Sequence, residues 1–293
     1  MSRETLSGAR PASNGMEIVK TDGTKQAFSA SKLCLSLRKA GAPRDLADGI
    51  CKNVQQRINP NESTSSIFRK ALKYLVREDL DLAARYSLRR GIEALGPAGF
   101  VFERYFEAIL QAHGFKTKRG TIVRGKCISH EIDVMAMIGS KRFLVEAKYH
   151  NIAGIKTHVD TVMYAQARLE DIVEAEPAEA RKKYEYAMWV VTNTKFTDTA
   201  IKYARCRGIR LTGWSYPRGE SLEDVIIQKK LYPVTVLPSL PKTLLLTLAE
   251  QNIILAQDLL TYEVKDMVKS FGISRDLAEK LVAEVSEMTG VSS

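Results

Sequence analysis

The sequence predicts an α/β protein in three parts, and three changes of rhythm along the chain predict it. Residues 16–95 open with short apolar runs around Asp22-Gly23 and continue as helical patterns. Residues 97–235 alternate strand and helix patterns, which predicts an α/β domain with a mixed sheet. Residues 238–293 read as short helices separated by turn residues, a small helical module.

The elements follow in order. Residues 1–15 lack an apolar core, so they read as a flexible tail and not a secretory signal. Residues 16–28 read as a hairpin, because Asp-Gly is a strong two-residue turn signal. Helical patterns are expected over 29–40, 45–57 and 63–92, the last long or broken, before Gly96-Pro97 and Gly99 mark a boundary. A helix over 100–113 places Phe102, Phe106 and Ile109 inward and stops at Gly114. A short strand is possible at 121–125, and strands at 130–138 and 143–149 flank Gly139-Ser140. A helix over 158–176, a strand over 186–192, a helix over 198–207 and a strand over 209–214 complete the domain. In the tail, helices are expected over 244–250, 256–260, 262–271 and 275–288.

Composition narrows the class. Apolar residues make up 45% and charged residues 27%, the profile of a folded globular chain. The net charge of +10 is uneven: +7 over residues 1–96, +6 over 97–235 and −3 over 236–293. A basic balance favours polyanions such as nucleic acid. No apolar run approaches the ~20 residues of a membrane helix. Cys34, Cys51, Cys127 and Cys206 form no CxxC pair, so they read as separate reduced thiols, mostly buried, in a cytoplasmic protein.

The segment from His130 to His150 carries the strongest chemical signal. With Gly139 and Ser140 as the turn, Ile138 pairs with Lys141 and Asp133 falls opposite Glu146. Each strand then has one apolar and one charged face, since side chains alternate. Like charges across a strand pair are destabilising unless a cation sits between them, and Mg²⁺ takes one or two carboxylates plus water and phosphate oxygens. Asp133 and Glu146 are therefore the candidate ligands for Mg²⁺ or Mn²⁺. Lys148, on the face of Glu146, would orient water or offset transition-state charge. The histidines at 113, 130, 150 and 158 show no metal-ligand spacing, and His130 and His150 read as bystanders.

Residues 97–216 resemble the PD-(D/E)xK nuclease superfamily, and Mrr-type restriction endonucleases in particular. The resemblance rests on Phe102-Glu103, Gly114-Phe115, Ile132-Asp133, Glu146-Ala147-Lys148, the helix with Gln166 and Arg168, and the strand–Thr192–helix–Ile209-Arg210-Leu211 unit. It implies a metal-dependent DNA endonuclease in which Glu103 adds an acidic group and Gln166 sits at the site edge. Glu107, one turn from Glu103, is a rival for its role. Glu131 departs from the small residue common in relatives.

Neither GxxxxGK[S/T] nor GxGxxG occurs, which argues against a motor ATPase. Residues 16–95 nevertheless resemble the ATP-cone, a regulatory nucleotide-binding domain. The matching pieces are Ile18-Val19-Lys20-Thr21-Asp22-Gly23, Phe28 with Lys32, and Ala84-Arg85-Tyr86-Ser87-Leu88-Arg89. Thr21 replaces a second basic residue. The resemblance implies binding of ATP or dATP without hydrolysis at Val19, Lys20, Lys32, Arg85, Tyr86 and Arg89, and a homo-oligomer. Residues 259–285 have the rhythm of a helix-hairpin-helix, with Phe271-Gly272-Ile273-Ser274 as the hairpin. The glycine pair is missing and the local charge is −3, which favours a protein contact over DNA. The expected function is ATP-regulated DNA cleavage. The alternative is a non-catalytic nucleotide-sensing DNA-binding regulator, and RNA is a third possible substrate.

Overall fold

The computed structural model describes residues 15–96, 99–152 and 154–291. The expected tail lies outside them except for Gly15. The chain divides into two compact units, residues 1–86 and 87–293.

In the first unit, β1 (Glu17–Val19) pairs antiparallel with β2 (Lys25–Ala27) and parallel with β3 (Glu62–Ser63). The hairpin forms, but its loop is longer than the expected two residues. Val19 pairs with Lys25, the Lys20 N–H donates to the Thr24 carbonyl, and Gly23 has φ +82°. A three-residue loop ending in a left-handed glycine fits this pattern. The Asp22 carboxylate also accepts from both Thr24 N–H and Oγ1. Helices α1 (Ala30–Lys39), α2 (Arg44–Gln55) and α3 (Thr64–Glu78) follow, capped at α1 and α3 by Ser29 and Ser63. The long 63–92 pattern breaks at Asp79, whose extended backbone ends α3 before α4 (Leu80–Glu93) starts. Leu37, Ala47, Val54, Ala71 and Leu75 are fully buried at the centre of this unit.

The cysteine reading needs correction. Packing of α1 on α2 brings Cys34 and Cys51 into a disulfide, with Cα atoms 5.7 Å apart. Cys127 and Cys206 are free, and both are exposed instead of buried.

The second unit is built on a five-stranded mixed sheet. Its strands are β4 (Lys116–Arg124), β5 (Ser129–Ile138), β6 (Lys141–Lys148), β8 (Glu185–Thr192) and β10 (Arg210–Thr212), in the order β10-β8-β6-β5-β4. β6, β8 and β10 run parallel, while β5 and β4 are antiparallel additions. β4 spans nine residues, longer than the 121–125 expected, because its first half, Lys116 to Gly120, is polar and carries no apolar alternation, as suits an edge strand. Helix α5 (Gly99–Ala112) covers one face, and the Phe106 ring meets Trp189 edge-on at 5.5 Å. Helices α6 (Val159–Ala175) and α8 (Asp198–Arg207) cover the other, over Leu144, Met188 and Val190. A two-stranded piece pairs β7 (Lys156–Thr157) with β9 (Lys195–Phe196). Helices α7 (Ala178–Lys183) and α9 (Leu222–Gln228) were not legible as helices in the sequence.

The C-terminal segment of this unit holds α10 (Leu245–Glu250), α11 (Val264–Phe271) and α12 (Arg275–Thr289), with three short 3₁₀ turns between and before them. Gly272 has φ +65° and Ser274 caps α12, so the expected hairpin position is a real corner. Buried Glu284 accepts from both Ser239 N–H and Oγ and ties α12 to the turn at Pro238-Ser239. Among the described residues no helix is long and apolar enough to cross a membrane.

Candidate active site

The β5–β6 hairpin turns at Gly139-Ser140 in the expected register. Ile138 pairs with Lys141, and pairing continues to Val134 with Val145. Gly139 has φ +57°, a conformation that glycine adopts without a Cβ penalty. Beyond Val134 the Ala147 N–H donates to Asp133 Oδ2 at 2.7 Å. The side chain thus takes up a donor from the neighbouring strand next to the site.

β6 does not have a solvent face, contrary to the expectation of one apolar and one charged side. It lies between β5 and β8 with helices above and below, and Phe143 to Ala147 are all buried. Glu146 is 4% exposed. Its carboxylate is held by two cations. Lys148 Nζ lies 2.8 Å from Oε1, and the Arg168 guanidinium from α6 pairs with Oε2. Arg168 also donates to the Glu131 carbonyl and is itself buried.

The electrostatics show which groups share this neighbourhood. Burial first, then the Glu146 charge, pushes the Asp133 carboxyl up to about 6, with Glu103 adding to the shift and the Ala147 N–H and Lys148 opposing it. Glu103 on α5 is also raised, mainly by burial, and feels Arg119, Glu131, Glu146 and Lys148. Four sequence-predicted residues, Glu103, Asp133, Glu146 and Lys148, therefore lie within one another's fields. Glu107 is engaged elsewhere: it accepts from Thr117 Oγ1 at 3.0 Å and lies 3.6 Å from Arg119. Gln166 is buried on α6 and donates to Glu170 at 2.8 Å, while its Oε1 has no partner among the described residues. Arg168 shares its helix with Gln166, and nothing local in the sequence pairs it with Glu146, because the two meet only when α6 lies across the sheet.

The histidines support the frame. His130 Nε2 lies 2.7 Å from Asp171, which also accepts from the Cys127 and Ile128 N–H groups. These donors hold the Asp171 carboxyl well below the usual range, the Cys127 N–H contributing most. Gly125 closes the same loop, where a Cβ would meet Asp171 Oδ2 at 2.0 Å. His150, just past Lys148, exchanges two backbone bonds with the Asn193 side chain and meets Thr157 Oγ1 at 3.0 Å. Burial lowers its pKa. The ends of β6 and β8 are thereby locked together beside Lys148.

The donor set suits a hard divalent cation. The carboxylates are oxygen ligands, and burial together with the Glu146 charge raises Asp133. Among the described residues no group of three or more His, Cys, Asp or Glu side chains is placed to hold a metal ion. Asp133 and Glu146 could hold one only in an open shell completed by water and phosphate, with Lys148 released from Glu146.

In the first unit, Lys32 and Tyr86 line one cavity of ≈ 210 Å³ with Phe28, Ser29, Thr64 and Phe68. The Tyr86 ring stacks on Phe68 at 4.7 Å. Val19 and exposed Lys20 stand at the end of β1. Arg85 pairs with Asp81 at 2.5 Å. Arg89 belongs to the second unit, where it pairs with Glu93 at 3.3 Å.

Residues 97–214 match the restriction endonuclease family, and residues 232–289 match the AF1548-like C-terminal family. An uncharacterised protein of Archaeoglobus fulgidus is 36% identical over 183 residues, 62% of this chain and 98% of its own length. The chain belongs to the AF1548-like proteins. The crystal structure of the protein of unknown function AF1548 is 34% identical, with a TM-score of 0.53, and is matched over 67% of this chain and 100% of its own. This AF1548-like protein thus carries a restriction-endonuclease domain followed by the family's C-terminal domain. Its ATP-cone resemblance has no counterpart in these matches.

Proposed function

We propose that this AF1548-like protein is a metal-dependent endonuclease that hydrolyses DNA phosphodiester bonds. One observation carries the reading: within a restriction-endonuclease domain, Glu103, Asp133, Glu146 and Lys148 sit in one electrostatic neighbourhood, with Asp133 raised to about 6. Asp133 and Glu146 would hold the cation, with Glu103 adding negative charge beside it. A bound divalent ion supplies Lewis-acid polarisation of the phosphate. Arg168, buried, keeps one oxygen of Glu146 fixed. Lys148, 42% exposed, is the partner free to leave the other oxygen, orient the attacking water and offset charge growing on the phosphate. Gln166 would meet the site edge through its unpartnered Oε1.

The test is nicking and linearisation of a plasmid with Mg²⁺. Asp133→Ala and Lys148→Ala should each lower the rate by about a hundredfold or more, the scale of losing one transition-state contact. Equal cutting by wild type and both variants would remove the assignment. Retained DNA binding without any cutting by wild type would favour a non-catalytic regulator, and cutting of RNA alone would move the substrate.

A second reading is that the first unit binds ATP or dATP as an effector, with the Lys32–Tyr86 cavity as the supporting observation. Lys32 would meet phosphate there and Tyr86 the base. Val19, Lys20, Arg85 and Arg89 complete the expected set, and a homo-oligomer is the expected responder. Lys32→Ala should weaken equilibrium binding of labelled ATP by about tenfold, the loss of one charged hydrogen bond. Unchanged affinity would undo this map.

A further inference from the structure

A second cleft on the first unit gathers cations with little to neutralise them. It lies between the end of α2 and α3, encloses ≈ 210 Å³, and is lined by Val54, Arg57, Lys70, Lys73, Tyr74 and Arg77. Lys70 is committed: it meets Glu62 at 2.7 Å and donates to the Arg57 carbonyl at 2.5 Å. Arg57, Lys73 and Arg77 have no acidic partner within ion-pair distance among the described residues. Lys73 and Arg77 stand at i, i+4 on α3, a like-charge spacing that costs helix stability. The Tyr74 hydroxyl is buried without a hydrogen-bond partner among the described residues, and the Arg57 guanidinium lies 5.9 Å from its ring centre. A buried hydroxyl of this kind can donate to a water or to a ligand oxygen.

The cleft thus offers two guanidinium groups, an ammonium and a phenol, all of them donors, around an apolar floor at Val54. Arginine forks match tetrahedral oxyanions with two parallel bonds, which favours phosphate over a single carboxylate. We propose that this cleft is a phosphate-binding site, sharing no residue with the Asp133–Glu146 site or the Lys32–Tyr86 cavity. The phosphate belongs either to a DNA backbone or to a free polyphosphate. The like-charge row on α3 is then explained by its ligand, which offsets the repulsion when bound.

The experiment uses the full chain in EDTA, so that binding is read without cleavage and stands apart from the nuclease assignment. Two probes are titrated: a short fluorescein-labelled duplex by anisotropy, and inorganic pyrophosphate by calorimetry. The triple variant R57Q/K73Q/R77Q should weaken one of them by about tenfold, as loss of charged contacts to phosphate requires. If the duplex is the one weakened, its log K against log salt slope should also fall by about 2 to 3, and the source is the backbone. If pyrophosphate is the one weakened, the source is a free polyphosphate. Y74F should weaken the same probe, by about twofold to fivefold. Circular dichroism checks the fold, and R77Q alone with Y74F replaces a triple variant that does not fold. Wild-type affinity of these variants for both probes overturns the proposal.

Discussion

Asp133 and Arg168 show how single side chains set the behaviour of this site. The folded pKa of Asp133, about 6, lies above the ordinary 3.8, so without metal the folded protein holds a proton that the unfolded chain has lost. Its contribution to stability is therefore full below pH ~4 and is lost as pH rises through about 6. Asp133→Asn should stabilise the metal-free protein at pH 8 by about 1–3 kcal/mol and leave it unchanged at pH 4. Thermal unfolding in EDTA at both values checks this, and equal effects at the two would contradict the buried-carboxyl account. Arg168 works in the opposite sense. Removing one partner of a buried ion pair costs about 3–5 kcal/mol because the other charge stays buried. Lys148 still meets Glu146, so Arg168→Met should cost about 3 kcal/mol in urea unfolding. A loss under about 0.5 kcal/mol would mean that Glu146 does not depend on it.

Elements are joined by close approaches as much as by area. Late in α4, a Cβ on Gly91 would lie 2.5 Å from Val236 Cγ1 and 3.2 Å from Thr235 Oγ1. Thr235 Oγ1 also donates to the Gly91 carbonyl at 2.6 Å. Alanine is better than glycine in a helix by about 1 kcal/mol, whereas overpacking costs about 1–3 kcal/mol. Val236 is 6% exposed and has little room to move. The steric effect wins, and Gly91→Ala should lose about 1 kcal/mol in stability. A rise in melting temperature would show that the turn at 234–236 yields. Tyr105 fastens α5 to the chain after α9 in a similar way, donating from a fully buried hydroxyl to the Leu231 carbonyl at 2.8 Å.

Across the whole molecule, charge is divided by region. Residues 1–235 hold the positive excess and residues 236–293 carry −3. Duplex binding should weaken steeply with salt, because phosphate neutralisation releases counterions. Lys265→Gln with Lys269→Gln on α11 should leave the log–log slope unchanged. A fall of about 1 to 2 would mean that the C-terminal domain meets phosphate directly. The AF1548-like relatives match about two-thirds of this chain. The effector reading of residues 16–95 therefore rests on those residues alone.

Local rules made much of this protein legible. The β5–β6 register followed from glycine at the turn and period-two alternation, and the helix expected over 198–207 forms as α8 with the same bounds. The types and approximate positions of Glu103, Asp133, Glu146 and Lys148 were likewise written in short-range pattern and family resemblance. Tertiary structure decided what contacts at long sequence separation decide. It buried β6 on both faces, brought Arg168 to Glu146 across 22 residues and paired Cys34 with Cys51. It also engaged Glu107 with β4 and turned Lys73, Tyr74 and Arg77 toward the end of α2. Periodicity fixes which face a side chain takes on its own element, but only packing chooses the element that covers that face.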